Sequence, residues 1–101
     1  MMFSVIYSFQ VKKGSEKLFE ADWKELTKMF RDFAGGLGSR LHLAEENSYI
    51  AYAQWPNKKA WEEAGNKLPE EALEVRIRMR NSCEAMKTLH QLHLVEDMLV
   101  K

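Results

Sequence analysis

The 101 residues, 46% hydrophobic and 30% charged, have the composition of one globular domain, and a chain this short gains core most readily by self-association. Fifteen Lys and Arg balance fifteen Asp and Glu, which removes the electrostatic basis for a nucleic-acid or anionic-membrane partner. No apolar run approaches the roughly 18 residues of a membrane span, the start lacks the basic region of a signal peptide, and the single Cys83 forms no internal disulfide; together these predict a cytoplasmic protein.

Phe3, Val5, Tyr7, Phe9 and Val11 alternate with Ser4, Ser8 and Gln10, the period of a strand with one apolar face. Lys12-Lys13-Gly14 turns the chain, with Ser15 as candidate N-cap and Glu16 in the first turn of a helix. Phe19, Trp23, Leu26, Phe30 and Phe33 follow at steps of four, three, four and three, which draws one helical stripe. Gly35 and Gly36 predict its end. Residues 37–45 and 49–55 read as the arms of a hairpin. Leu37, Leu41 and Leu43 alternate with Gly38, Arg40 and His42, the second arm is aromatic, and Asn47-Ser48 predicts the turn. Pro56 closes that arm, and Asn57 stands ready to cap a short helix over residues 58–64 carrying Ala60, Trp61 and Ala64.

Residues 68–81 carry two patterns. Val75, Ile77 and Met79 alternate with Arg76, Arg78 and Arg80 as a strand would, whereas Leu68, Ala72, Val75 and Met79 fit a helical stripe. Pro69 with Glu70-Glu71 suits a helix start, the arginines suit its negative C-terminal end, and Glu74 with Arg78 forms a predicted i,i+4 pair, so the reading is helix. Residues 83–88 read as a connection and residues 89–100, rich in Leu and Val, as the last strand. The order strand, helix, strand, strand, helix, helix, strand predicts a single α+β domain over residues 1–101.

The chemistry-bearing residues each have a plain reading beside a sharper one. His90 and His93 are three apart, so a strand points them to opposite sides; with no His-x-His or Cys-x-x-Cys spacing, no metal site is expected. Cys83, after a helix end, reads as a half-buried structural thiol rather than a nucleophile. Neither a Gly-x-Ser-x-Gly elbow nor a phosphate loop is present, and Arg76, Arg78 and Arg80 read first as a solvated helix end. Eleven aromatic residues exceed what a small core needs. They pack a core, or they line a cavity between sheet and helices in which Trp23, Trp61 and Tyr7 orient a flat ligand. The other sheet face would combine Ile6, Ile50, Tyr52, Val95 and Leu99 with Ser8, Arg40, His42, Gln54 and His93, a mixture suited to a wet subunit interface.

Three stretches carry a family resemblance: Val11-Lys12-Lys13-Gly14, Gly35-Gly36-Leu37-Gly38-Ser39, and Ala51-Tyr52-Ala53-Gln54-Trp55-Pro56 leading to Ala60-Trp61. With the element order, they make the chain resemble the antibiotic biosynthesis monooxygenase superfamily. That resemblance implies a ferredoxin-like β-α-β-β-α-β fold with an antiparallel sheet, paired face to face in a homodimer as a dimeric α+β barrel. Relatives include cofactor-independent oxygenases of quinols and polyketide-like phenols, and haem-degrading enzymes. The haem degraders have an asparagine where this chain has Tyr7, and their tryptophan and haem-ligating histidine fall near Ala64 and Glu74, which argues against haem. The cofactor-free oxygenases use scattered Asn, Trp, Tyr and Arg residues, for which Asn57, Trp61, Tyr7 and Arg76 are the chemically similar positions.

Two functions are therefore expected. One is a cofactor-independent monooxygenase of a small aromatic or quinol-like molecule, with Tyr7, Trp23, Asn57, Trp61 and Arg76 at the substrate and no metal or haem. The alternative is a non-catalytic homodimeric module that binds a small ligand or a partner, favoured by the missing acid–base constellation.

Overall fold

Period-2 alternation in Phe3–Val11 forms a strand, β1, whose odd-numbered side chains Phe3, Val5, Phe9 and Val11 are buried. A computed structural model describes residues 2–100 of the chain. After β1 come α1 (Glu16–Phe33), β2 (Gly38–Glu45), β3 (Ser48–Trp55), α2 (Lys58–Glu63), a 3-10 turn (Ala64–Lys67), α3 (Glu71–Asn81) and β4 (Cys83–His93). The strands form one antiparallel sheet in the order β2-β3-β1-β4, and α1 and α3 pack against each other over one of its faces. This is the expected ferredoxin-like α+β fold.

The apolar stripe of α1 meets the sheet as its spacing requires. Phe19 and Leu26 are buried, Trp23 and Phe30 are half-buried, and Phe19 sits 5.0 Å from the rings of both Phe9 and Tyr49. Phe33, expected in the stripe, is 54% exposed because the helix ends there. Ser15 occupies the N-cap, but its hydroxyl makes no capping bond. The first turn is instead held by Glu16, whose carboxylate accepts from the Gly14 amide at 2.8 Å and from Asn47 Nδ2 in the β2–β3 turn. At the other end the Ala34 and Gly36 amides both donate to the Phe30 carbonyl, with Gly35 left-handed at φ 75°. A Cβ on Gly36 would stand in contact with the Phe30 backbone and the Trp55 ring at 3.4 Å, so this turn lies closely against the sheet.

Three local expectations need correction. Residues 83–88 are not a connection: Cys83–His93 pairs with β1 along its length, Cys83 opposite Val11 and His93 opposite Phe3. Residues 94–100 lie outside any strand: the Leu94 amide still donates to the Met2 carbonyl at 3.1 Å, but beyond it the chain runs past the end of β1, with Val95 89% and Val100 98% exposed. Arg78 does not pair with Glu74. It reaches across to α1, where Asp22 Oδ1 accepts from its Nε and Nη2, both at 3.2 Å, with Glu25 at 3.5 Å. Asp22 is buried on the α3-facing side of α1, which makes it the nearer counter-charge.

The uncovered sheet face largely follows the expected mixture. Successive rows across β2, β3, β1 and β4 read Arg40–Tyr52–Ile6–His90 and His42–Ile50–Ser8–Lys87. Tyr52 Oη accepts from Ser4 Oγ and Gln54 Nε2, each at 3.1 Å. His93 belongs to the opposite face, its ring 5.2 Å from Phe3, and Val95 and Leu99 lie beyond the strand.

Candidate functional site

A cavity of about 240 Å³ opens between the sheet and the two long helices. Tyr7 and Phe9 come from β1, Trp23 and Phe30 from α1, Trp55 from β3, and Arg76 and Met79 from α3. The volume lies between the ~150 Å³ that holds benzene and the ~300 Å³ at the lower end of drug-sized pockets. It therefore suits one or two fused rings. A more open cleft beside it shares Tyr7, Phe30, Trp55 and Arg76, and adds Lys58, Trp61 and Glu62 beneath α2.

Tyr7 stands at the junction of the two spaces. Its phenol oxygen accepts from Trp61 Nε1 at 2.7 Å, while among the described residues its own proton has no protein acceptor. Burial pushes the Tyr7 pKa up, and the bond from Trp61 offsets part of that rise. The group is thus a neutral O–H donor at ordinary pH. Trp61 is held in turn against Phe3, ring centroids 5.7 Å apart.

Trp55 is 4% exposed, Phe30 packs edge-on to it at 5.6 Å, and its buried Nε1 has no hydrogen-bond partner. An unpaired buried N–H costs on the order of 1–3 kcal/mol. The cavity therefore combines apolar walls with one donor that the protein leaves unused, the Tyr7 hydroxyl, while the Trp55 N–H is buried behind its ring.

The sequence-predicted residues separate into two groups. Tyr7, Trp23 and Arg76 line the main cavity; Tyr7, Arg76 and Trp61 line the adjoining cleft. Asn57 lines neither, because its Oδ1 accepts from the Ala60 amide at 2.8 Å as the cap of α2. Trp55, Arg31 and Arg80 also line the cavity and were not singled out as ligand contacts. Their signal was in the spacing: Arg76 and Arg80 are one helical turn apart, as are Trp23, Thr27 and Arg31.

Other candidates resolve differently. Among the described residues no group of three His, Cys, Asp or Glu side chains converges as a metal site. Cys83 is half-buried and burial pushes its thiol pKa up, against an opposing pull from Lys12, so it is a thiol and not an activated thiolate. Asp22 bridges α1 to α3 and lines neither space. No helix is long and apolar enough to cross a membrane among the described residues.

Comparison with known proteins agrees with this geometry. SnoaB, a cofactor-independent oxygenase from Streptomyces nogalater, is similar in structure at 17% identity, covering 96% of each chain with a TM-score of 0.79. Rv0793 from Mycobacterium tuberculosis is similar at 13% identity, covering 98% of this chain and 100% of its own, with a TM-score of 0.76. PA3566 from Pseudomonas aeruginosa reaches 21% identity over 94% and 95% of the two chains, with a TM-score of 0.73. At these identities the likeness establishes the fold. No curated protein matches the chain in sequence. The sequence profile described as antibiotic biosynthesis monooxygenase matches residues 2–67, more than half of the chain, and the protein belongs to that family.

Proposed function

We propose that the protein is a cofactor-independent monooxygenase of a small aromatic or quinol-like molecule, acting in the cytoplasm as a homodimer joined through the uncovered sheet face. The observation that carries the reading is the cavity itself, aromatic-walled and fitted with the unused donor Tyr7 Oη–H. Among the described residues no Asp, Glu or His lines it, so these offer no base there and the ligand must be acidic enough to ionise with the help of donors and cations. A phenolic ligand with an activated ring methylene meets that demand. Its carbanion gives an electron to dioxygen, the radicals combine to a hydroperoxide, and loss of water leaves a carbonyl: R2CH2 + O2 → R2CO + H2O. One oxygen atom enters the product, and no external reductant is consumed. The protein's part is orientation, exclusion of water and stabilisation of the anion.

Oxygen-electrode measurements on chelator-treated protein with a panel of one- and two-ring hydroquinones and tetralone-type phenols bearing an activated ring methylene test this. Uptake well above spontaneous autoxidation, one O2 per product, and a slower rate in Tyr7→Phe are expected. Uptake no faster than the protein-free rate across the panel would reject the reaction. The same missing base favours the second reading, a homodimeric module that binds such a ligand without transforming it. Binding without oxygen uptake would identify that case.

A further inference from the structure

The cavity concentrates positive charge without an acid to balance it. Arg31 at the end of α1, and Arg76 and Arg80 one turn apart on α3, all line it, and no Asp or Glu does. Among the described residues none of the three guanidinium groups makes a hydrogen bond or an ion pair, and all three residues are exposed. The arginine between them in sequence, Arg78, faces away and is taken by Asp22 and Glu25. In a chain of zero net charge, three of the fifteen cationic groups thus surround one small cavity while carboxylates are spent elsewhere.

Helix dipoles explain part of this. Cations near the C-terminal ends of α1 and α3 are favourable, which accounts for Arg31 and Arg80 as single residues. They do not account for Arg76, mid-helix, or for the convergence of all three on one space. Only the adjoining cleft carries a carboxylate, Glu62, and it forms no ion pair with Arg76. All three arginines stand on helices that cover the sheet's other face, away from the surface proposed for dimerisation.

We infer that the cavity selects an aromatic ligand bearing an anionic substituent, a carboxylate on the ring system, over its neutral counterpart. Guanidinium groups present a planar pair of donors that matches a carboxylate, and three of them at an apolar, partly enclosed space reward a negative charge that would also relieve their mutual repulsion. The apolar walls and the free Tyr7 donor take the ring and its oxygen, and the exposed arginines that line the space take the acid. This rests on the ligand-binding reading of the cavity and narrows its substrate class.

The test is calorimetric titration at low salt with 2-naphthoate and its neutral isostere 2-naphthamide. The acid is expected to bind about tenfold tighter or more, the ratio shrinking as salt rises. Arg76→Gln and Arg80→Gln should each lower the ratio, and Arg31→Gln/Arg76→Gln/Arg80→Gln together should bring it near one. Lys24→Gln removes one charge outside the cavity and should leave it intact. Equal binding of acid and amide, or a preference surviving the triple variant, overturns the inference. If the amide binds as well and a neutral hydroquinone still drives oxygen uptake, the oxygenase reading stands and anion selection falls. If neither probe binds, anion selection falls, and the oxygenase reading is decided separately by oxygen uptake with the hydroquinone panel.

Discussion

Removing the Trp61 indole nitrogen tests whether the Tyr7 phenol is positioned by the protein or merely packed. Trp61→Phe keeps a ring against Phe3, now 5.7 Å from the indole, but deletes the 2.7 Å bond to the Tyr7 oxygen. The lost hydrogen bond is worth about 1 kcal/mol, and the smaller ring forfeits roughly another 1 kcal/mol of apolar burial. Both side chains are only partly buried, so the total is at most about 2 kcal/mol. A double-mutant cycle with Tyr7→Phe isolates the bond, since Tyr7→Phe leaves the ring and removes only the acceptor. Urea unfolding at fixed protein concentration should give a coupling energy of about 1 kcal/mol. The Trp61 bond also opposes the rise that burial imposes on the Tyr7 pKa, so the phenol should titrate at still higher pH in Trp61→Phe. Single effects that add to within about 0.3 kcal/mol, with the Tyr7 titration unmoved, would refute the positioning role.

Arg78→Ala strands the Asp22 carboxylate, whose side chain is 4% exposed, without its two donors. Charge-assisted bonds suggest a loss near the low end of ~1.5–3 kcal/mol because Arg78 itself is 42% exposed, whereas Asp22→Leu/Arg78→Leu should be close to neutral in thermal and urea melts. Tyr49 donates to Glu20 at 2.6 Å, and that bond, followed by burial, pushes its pKa up to about 12. The folded hydroxyl keeps its proton above the usual value of 10, so the stabilisation is complete below pH 10 and lost as pH rises through 12; Glu20→Gln should bring the Tyr49 titration back down, read by ultraviolet difference spectra. Ile6→Glu, in the middle of the uncovered sheet face, should convert a sedimenting dimer into a monomer, and a parent protein that is monomeric at micromolar concentration would overturn the interface.

The elements with strong periodicity were legible in the residues alone. The odd positions of β1, the stripe of α1, the Asn47 turn and the Asn57 cap each follow from local chemistry that does not depend on distant partners. So did the aromatic excess, which marked Tyr7, Trp23 and Trp61 before their surroundings were known. Pairing decided the rest. Cys83–Thr88 has little alternation of its own and becomes strand because β1 offers it an unoccupied edge, whereas the more apolar residues 94–100 have no such edge. Charge partners were equally a tertiary matter: Glu74 is close to Arg78 along the helix, but Asp22 is buried across the helix interface and takes the guanidinium. Spacing placed Arg31, Arg76 and Arg80 on two helix faces, but only the packing of α1 beside α3 over the sheet brings those faces to one cavity and leaves it without a carboxylate. Period is a local property of the chain; which surfaces meet is a property of the whole fold, and a ligand site is made of surfaces that meet.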